Sequence, residues 1–145
     1  MVLYRFVFQA RGHPKITSTH PTTIEITRSK DLTVRGDCII AVGASHGPID
    51  LPEDIRRVLG QDSSRCRLTI ALAGETLTIE GRGKTGLTLN ATDEMVVRKS
   101  GFISDRTLIV NADKAALDIP RHVVSLMRRP NQQIRFELLA WDEKD

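Results

Sequence analysis

DCIIAVGASHGPIDLPEDIRRVLGQDSSRCRLTIAL, residues 37–72, aligns with DRTLIVNADKAALDIPRHVVSLMRRPNQQIRFELLA, residues 105–140, at a constant offset of 68 positions and without a gap. Six of the 36 aligned pairs are identical, and others exchange one apolar residue for another, such as Leu59 and Met127. The alignment predicts that the chain contains the same structural unit twice. Residues without a counterpart in the other copy are therefore candidates for function.

Both copies predict the same order of local structure. Cys38 to Gly43 is a nearly continuous apolar run, which is typical of a strand buried on both faces, and Asp105 to Val110 matches this strand in the second copy. Asp50 and Asp118 each stand two positions before a proline, a pattern that predicts the capped start of a short helix. An alternating run follows each helix and predicts another strand.

We predict an α+β, mainly β fold, namely a pseudo-twofold, duplicated β-barrel-like structure with one short helix per repeat. Half of such a unit leaves an apolar sheet face bare, and a second half related by a pseudo-twofold axis could cover it. Closing the sheets on each other would also remove exposed strand edges. We expect one domain, 1–145, built of two structural repeats of about 1–72 and 73–145.

Composition indicates an ordinary globular chain with a small basic surplus. The net charge of +3 lies wholly in residues 1–46, where six Lys and Arg face three Asp and Glu. A basic surface favours a phosphate-bearing partner, although a solvated surface without a partner has the same composition. Two isolated cysteines, no signal peptide and no membrane-length apolar run predict a soluble, cytoplasmic protein. We expect no cofactor and no membrane, and a homodimer stays open.

A polar run occupies the first copy and has no evident equivalent in the second. It comprises Gly12-His13-Pro14, then Thr19-His20-Pro21-Thr22-Thr23, then Glu25. Its hydroxyls, backbone amides and nearby cations could hold an anion, although threonine also simply suits strands. A metal could be held only if His13 and His20 converged with a third ligand, which the spacing does not require. The candidate ligand-binding residues in and beside the run are His13, His20, Thr22, Thr23, Glu25 and Asp37.

Six segments of the chain carry a resemblance to a known family. They are Gly12-His13-Pro14-x-Ile16, His20-x-Thr22-Thr23-x-Glu25-Ile26-Thr27, Leu32-Thr33, Arg35-Gly36-Asp37-Cys38-Ile39, Asn111-Ala112-Asp113-Lys114-Ala115-Ala116 and Pro120-Arg121. With these segments the sequence resembles an archaeal family known as domain of unknown function 371, over nearly the whole chain. The resemblance implies an archaeal cytosolic protein and supplies no catalytic residues to carry over.

Two connections between a buried strand and a helix hold further candidates. His46 lies in the first, and Asp113 with Lys114 lies in the second. Ligands often bind where strands end, and these two connections could meet across the pseudo-axis. We therefore add His46, Asp113 and Lys114 to the candidate ligand-binding residues, against the alternative of a solvated connection.

A glycine-rich basic segment at 81–86 suggests a hairpin that could touch phosphates. Its Gly-Lys-Thr lacks the spacing of a nucleotide-binding P-loop, and neither cysteine stands in a nucleophile context. The leading hypothesis is a binding module for RNA or another phosphate-bearing ligand, weakened for RNA by the scarcity of aromatic residues. The alternative is a metal-dependent hydrolase using His13, His20, Glu25 and Asp37. The candidate nucleic-acid contacts are Arg11, Lys15, Arg35, Arg82 and Lys84.

Overall fold

The computed structural model describes residues 1–32 and 37–145, so Arg35 lies outside the described residues. It contains eight strands and two α-helices within that part of the chain. In chain order these are β1 (Tyr4–Arg11), β2 (Thr23–Thr27), β3 (Ile39–Ala41), α1 (Glu53–Leu59), β4 (Ser64–Leu72), β5 (Glu75–Arg82), β6 (Glu94–Arg98), β7 (Thr107–Ile109), α2 (Arg121–Met127) and β8 (Gln133–Asp142). Short 3₁₀ turns, Pro48–Asp50 and Ala116–Asp118, precede the two helices.

The strands form two four-stranded sheets. Sheet A has the order β1-β8-β4-β5 and is antiparallel throughout. Sheet B has the order β3-β2-β6-β7, with an antiparallel central pair and a parallel strand at each edge. The prediction of a mainly β, α+β fold is confirmed. The predicted duplicated, β-barrel-like arrangement is not confirmed, because the described strands divide into two separate sheets and form no closed barrel.

The strand order of each sheet is symmetric under an exchange of equivalent elements between the two halves of the chain. Matching β1 with β5, β2 with β6, β3 with β7, α1 with α2 and β4 with β8 converts each strand order into its own reverse. We call residues 1–72 the leading half and 73–145 the trailing half, and two residues that share a place under this matching counterparts. The matching lets each half serve as a control for the other.

The positions of the polar run have counterparts in the trailing half, although its two histidines do not recur there, since His13 falls on Lys84 and His20 on Ala91. Residues 11–27 match 82–98 at an offset of 71 positions, with Arg11 on Arg82 and Gly12 on Gly83. The offset changes because the connection between β2 and β3, residues 28–38, is three residues longer than the connection 99–106 between β6 and β7. An ungapped alignment could not find the correspondence.

Two isolated backbone bridges join the sheets. Arg11 at the end of β1 exchanges hydrogen bonds of 2.7 and 2.8 Å with Val42, which follows β3. Arg82 at the end of β5 exchanges two of 2.9 Å with Val110, which follows β7. Each edge of sheet A is thus attached to an edge of sheet B at the same place in each half.

The core lies between the sheets and beneath the helices. Alternation along β8 buries Ile134, Phe136 and Leu138, and Phe136 stacks on Phe8 of β1 with ring centroids 4.9 Å apart. Because Phe8 and Ala10 face this core, their neighbours Gln9 and Arg11 face outward. Each helix adds three buried apolar side chains, Ile55, Val58 and Leu59 in α1 and Val123, Val124 and Met127 in α2.

The N-caps of the two helices are prolines, and the aspartates that were expected to cap the helices instead cap the short 3₁₀ turns before them. Pro52 and Pro120 are the N-caps. The Asp50 carboxylate accepts the amide of Gly47 at 2.9 Å, and Asp118 accepts that of Ala115 at 2.8 Å, so both close the preceding 3₁₀ turns. None of the helices in the described ranges is long and apolar enough to cross a membrane.

One arginine from each half holds a loop of the other half. Arg121 donates to the carbonyls of Thr17 and Ser18 in the leading half, at 3.1 and 2.8 Å. Arg56 donates to the carbonyls of Thr88 and Leu89 in the trailing half, at 2.9 and 3.0 Å. Together with the mixed strand orders, these contacts interlock the halves.

Candidate functional site

A basic pocket of about 360 Å³ opens at the end of β1. Arg11, His13 and Lys30 supply its cationic and imidazole groups, and Asn131 lies opposite. No aspartate or glutamate lines it among the described residues. Its full lining is Arg11, Gly12, His13, Pro14, Lys30, Val42, Pro130 and Asn131.

Three features of the fold position Arg11, namely a backbone bridge, its place in the ladder of sheet A and the close approach of its side chain to a glycine. Its backbone is bridged to Val42, and in the ladder of sheet A it stands directly opposite Gln133. Its side chain runs over Gly43, where a Cβ atom would lie 3.0 Å from one guanidinium nitrogen. Gly43 also has a φ of +61°, so glycine suits both the backbone and the close approach of the arginine.

Arg11 differs from its counterpart in having no acidic partner among the described residues. The Arg82 guanidinium lies 3.2 Å from the Glu143 carboxylate, which also pairs with Arg65 at 2.8 Å. Arg11 makes no such ion pair and no side-chain hydrogen bond within 1–32 and 37–145. An arginine in this state keeps its planar set of donors available to an anion.

His13 is oriented by its own turn. Its Nδ1 atom accepts the amide of Lys15 at 3.1 Å, and its own amide donates to the Met127 carbonyl at 2.9 Å. A neutral imidazole whose Nδ1 accepts carries its proton on Nε2, which can donate to an anion. Gly12 permits this close packing, because a Cβ atom there would lie 2.4 Å from the Met127 oxygen. Lys15 is exposed beside the pocket and does not line it.

His20, Thr22 and Thr23 form a separate local group. The Thr22 amide donates to Nδ1 of His20 at 3.2 Å, and the hydroxyls of Thr22 and Thr23 lie 3.4 Å apart. The His20 amide donates to the backbone carbonyl of Asp37 at 3.1 Å, and the Ala91 amide donates to that of Asp105 in the same way at 3.0 Å. The backbone carbonyls of the two aspartates therefore hold equivalent loops in the two halves.

Glu25 lies in a third place, on the outer face of sheet B. Its carboxylate is 3.3 Å from the Arg106 guanidinium, and its side chain is 14% exposed. Burial raises the pKa of the Glu25 carboxyl more than Arg106 lowers it. Glu94 and Arg98 flank the group, and burial together with Arg106 lowers the pKa of Arg98. The cluster contains two acidic and two basic side chains, so its charges are compensated within the cluster.

Sequence reasoning missed Glu94, Arg98 and Arg106. Glu94 and Arg98 stand at the two ends of a strand whose middle residues, Met95 to Val97, are all buried, so no alternation marks the face that the two charged residues share. What the sequence could not supply is the pairing of β2 with β6, which sets Glu25 opposite Val96 and brings the arginines beside it.

His46 and Lys114 are counterparts that lie at opposite edges of sheet A, so their expected meeting does not occur. Ser45, beside His46, accepts the Gln9 amide of β1 at 3.0 Å, while Asp113 accepts the Glu80 amide of β5 at 3.0 Å. Strands β8 and β4 stand between those edges. Lys114 donates to the Thr78 carbonyl at 2.8 Å and His46 contacts Phe6, so both connections serve to cover edge strands.

The segment 81–86 is not a hairpin. β5 ends at Arg82, and the chain then packs against the end of α1. The Lys84 amide donates to the Leu59 carbonyl at 2.8 Å, and the Lys84 ammonium donates to the Gly101 carbonyl at 2.8 Å. Both cations predicted to meet nucleic acid from this segment, Arg82 and Lys84, therefore have protein partners.

The four residues of the hydrolase alternative are not brought together as a metal site. His13 faces the basic pocket, while His20 closes its own turn and Glu25 pairs with Arg106. No group of three His, Cys, Asp or Glu side chains in the described part of the chain is placed to hold a metal ion. Burial raises the pKa of Cys38 to about 11 and also raises that of Cys66, so both thiols stay protonated at neutral pH.

Comparison with known proteins agrees with the resemblance in the sequence. The chain is 37% identical over 135 residues to the uncharacterized protein MJ0206 of the archaeon Methanocaldococcus jannaschii, covering 93% of this chain and 98% of that protein. A family model matches residues 8–141. The chain belongs to the family described as a domain of unknown function, DUF371.

Proposed function

We propose that this protein is a binding module for a phosphate-bearing ligand, and that the pocket of Arg11, His13 and Lys30 receives the phosphate. One observation carries the proposal. Arg11 and Arg82 hold the same place in the two halves, yet Arg82 is ion-paired with Glu143 while Arg11 lines a basic pocket and has no acidic partner among the described residues. An arginine fork beside a second cation and an imidazole donor matches the geometry and charge of a phosphate.

Pocket size supports a small ligand or the end of a larger one. A volume of about 360 Å³ is near the lower end of the range for ligand sites, ~300–1,000 Å³. RNA enters the proposal as one source of a terminal phosphate. An extended RNA surface has less support, because Arg82 and Lys84 are occupied and Lys15 is the one remaining described cation of that set outside the pocket.

Calorimetric titration with inorganic phosphate at low ionic strength tests the proposal. Wild type should bind, Arg11→Gln should bind about tenfold or more weakly because one charge-assisted contact is removed, and Arg82→Gln should bind like wild type. Circular dichroism checks that each variant is folded. Equal binding by wild type and Arg11→Gln would overturn the proposal. A 5′-phosphorylated RNA and its dephosphorylated form then show whether RNA is a source of the phosphate.

The matching of the halves also supports a proposal about the fold. We infer that the two halves derive from one duplicated unit within a single domain, and that the bridges Arg11–Val42 and Arg82–Val110 link the two sheets into a barrel-like arrangement. The reversible strand orders and paired bridges support this inference. Circular dichroism of residues 1–72 and 73–145 expressed separately tests the single domain, because each sheet needs strands from both halves. A native-like fold in either half would contradict it.

A further inference from the structure

We propose that the phosphate-bearing ligand is a phosphorylated polyhydroxy compound, such as a sugar phosphate, whose hydroxylated part lies beside Gln9 and Gln133. The inference rests on the proposed function and adds the chemical class of the ligand. It also assigns a second part of the site, next to the phosphate pocket, to the neutral portion of the same molecule.

Three neighbouring cavities at the end of β1 share lining residues, and we call them together the groove. Arg11 lines both the phosphate pocket and a cavity of about 170 Å³ that Gly43 also lines. Gln9 and Gln133 line that middle cavity and also a larger one of about 440 Å³ beside the turn between β4 and β5. The neutral part of a ligand held by its phosphate at Arg11 would therefore lie nearest to the two glutamines.

The middle of the groove offers neutral hydrogen-bonding groups. Gln133 stands directly opposite Arg11 in the ladder, and Gln9 lies two residues before Arg11 on the same outward face. Neither glutamine amide makes a side-chain hydrogen bond with another described residue. An amide carries both donors and an acceptor, which suits hydroxyl groups that also donate and accept.

In the trailing half, the positions equivalent to Gln9 and Gln133 are occupied by charged residues that form ion pairs within the protein. The counterpart of Gln9 is Glu80, which pairs with Arg67 at 2.6 Å. The counterpart of Gln133 is Arg65, which pairs with Glu143 at 2.8 Å. These two positions thus hold ion-paired residues in the trailing half and, in the leading half, amides without a side-chain partner among the described residues.

Beyond the phosphate pocket, the described lining of the groove has no aromatic ring on which a nucleobase could stack. None of the six aromatic residues of the chain lines any of its three cavities. Bases are commonly held by stacking on aromatic rings, whereas a polyol needs only hydrogen-bonding partners. Its lining therefore favours a sugar or polyol phosphate over a nucleotide.

Calorimetric titrations with ribose 5-phosphate, ribose, inorganic phosphate and adenosine monophosphate test the class. Wild type should bind ribose 5-phosphate about tenfold more tightly than inorganic phosphate, and ribose alone not measurably. Gln133→Ala should remove that advantage and leave the affinity for inorganic phosphate unchanged. The counterpart variant Arg65→Ala should change neither.

The outcomes separate this inference from the function on which it rests. If inorganic phosphate binds and ribose 5-phosphate binds no more tightly, the ligand class is wrong and the phosphate pocket stands. If neither phosphate compound binds, the proposed function fails. Tighter binding of adenosine monophosphate than of ribose 5-phosphate, or no effect of Gln133→Ala, would also overturn the inference.

Discussion

Arg11 and Arg82 occupy the same place in the two halves and differ in one respect, the carboxylate of Glu143. Each ends an edge strand of sheet A and is bridged through its backbone to the residue after a parallel edge strand of sheet B. Arg82 lies 3.2 Å from Glu143, whereas Arg11 lines a pocket without an acidic residue. Both arginines therefore join the two sheets through their backbones, but only the side chain of Arg11 faces a pocket without an acidic residue.

Phosphate should stabilise the protein through Arg11. A ligand that binds only the folded state adds about 2.7 kcal/mol when its concentration is 100 times its Kd. We expect the melting temperature of wild type and Arg82→Gln to rise equally with added phosphate and that of Arg11→Gln to rise by about half as much or less, because its binding is about tenfold or more weaker. Thermal melts in sulfate-free buffer at fixed ionic strength check this. A rise of equal size in all three proteins would point to a general salt effect.

Gly12 and Gly83 should both resist replacement by alanine. A Cβ atom at Gly12 would lie 2.4 Å from the Met127 oxygen, and one at Gly83 would lie 2.2 Å from the Leu59 oxygen. Alanine at either position must displace backbone, so we expect a loss of at least about 2 kcal/mol in the free energy of unfolding. Gly60→Ala is the control, because its Cβ atom would meet the nearest atom at 3.4 Å. Urea unfolding that ranks Gly60→Ala with the other two would contradict the packing.

Arg121 should contribute strongly to stability despite its place on the surface. Its guanidinium donates to carbonyls of both halves, including those of Thr17, Ser18 and Ile119. Arg121→Ala removes several charge-assisted bonds at once, so we expect a loss of about 2–3 kcal/mol. The exposed Arg129, whose side chain makes no hydrogen bond within the described residues, provides the control Arg129→Ala, expected to lie within about 0.5 kcal/mol of wild type. Similar denaturation midpoints for the two variants would refute the interlocking role.

Glu25 should impose a pH dependence of defined sign. Burial raises the pKa of its carboxyl in the folded state, so folding favours the protonated form. The stabilisation from this group is complete below the unfolded-state pKa and is lost as the pH rises through the folded-state pKa. We therefore expect Glu25→Gln to gain stability relative to wild type as the pH rises from 4 to 7. A carboxyl pKa at or below the usual glutamate value, measured by NMR titration, would contradict this.

Local patterns predicted much of the fold and little of its pairing. The buried strands, the helices after Pro52 and Pro120 and the mainly β class follow from apolar periodicity and capping signals. The counterpart positions of the polar run were missed because the connection between β2 and β3 is longer than the connection between β6 and β7. This difference in length changes the offset between the two halves. His46 and Lys114 were expected to meet, yet matched connections end at opposite edges of the sheet. The cluster around Glu25 depends on the pairing of β2 with β6, which local sequence does not encode.

The sequence nevertheless predicted two of the residues that line the basic pocket. Arg11 and His13 stood among the candidates because they lie in or beside the polar run of the leading half. Lys30 and Asn131 could not be joined to them, because they come from a connection after β2 and from the turn before β8. Only the packing of those segments against the end of β1 forms the pocket.

NMR titration of isotope-labelled protein with inorganic phosphate shows directly whether phosphate binds at Arg11 and not at Arg82. We expect saturable shifts of the backbone amides of Arg11, Gly12, His13 and Asn131, with no shifts at Arg82, Gly83 and Lys84. Shifts of equal size in both sets, or shifts confined to the surroundings of Arg98 and Arg106, would contradict this expectation.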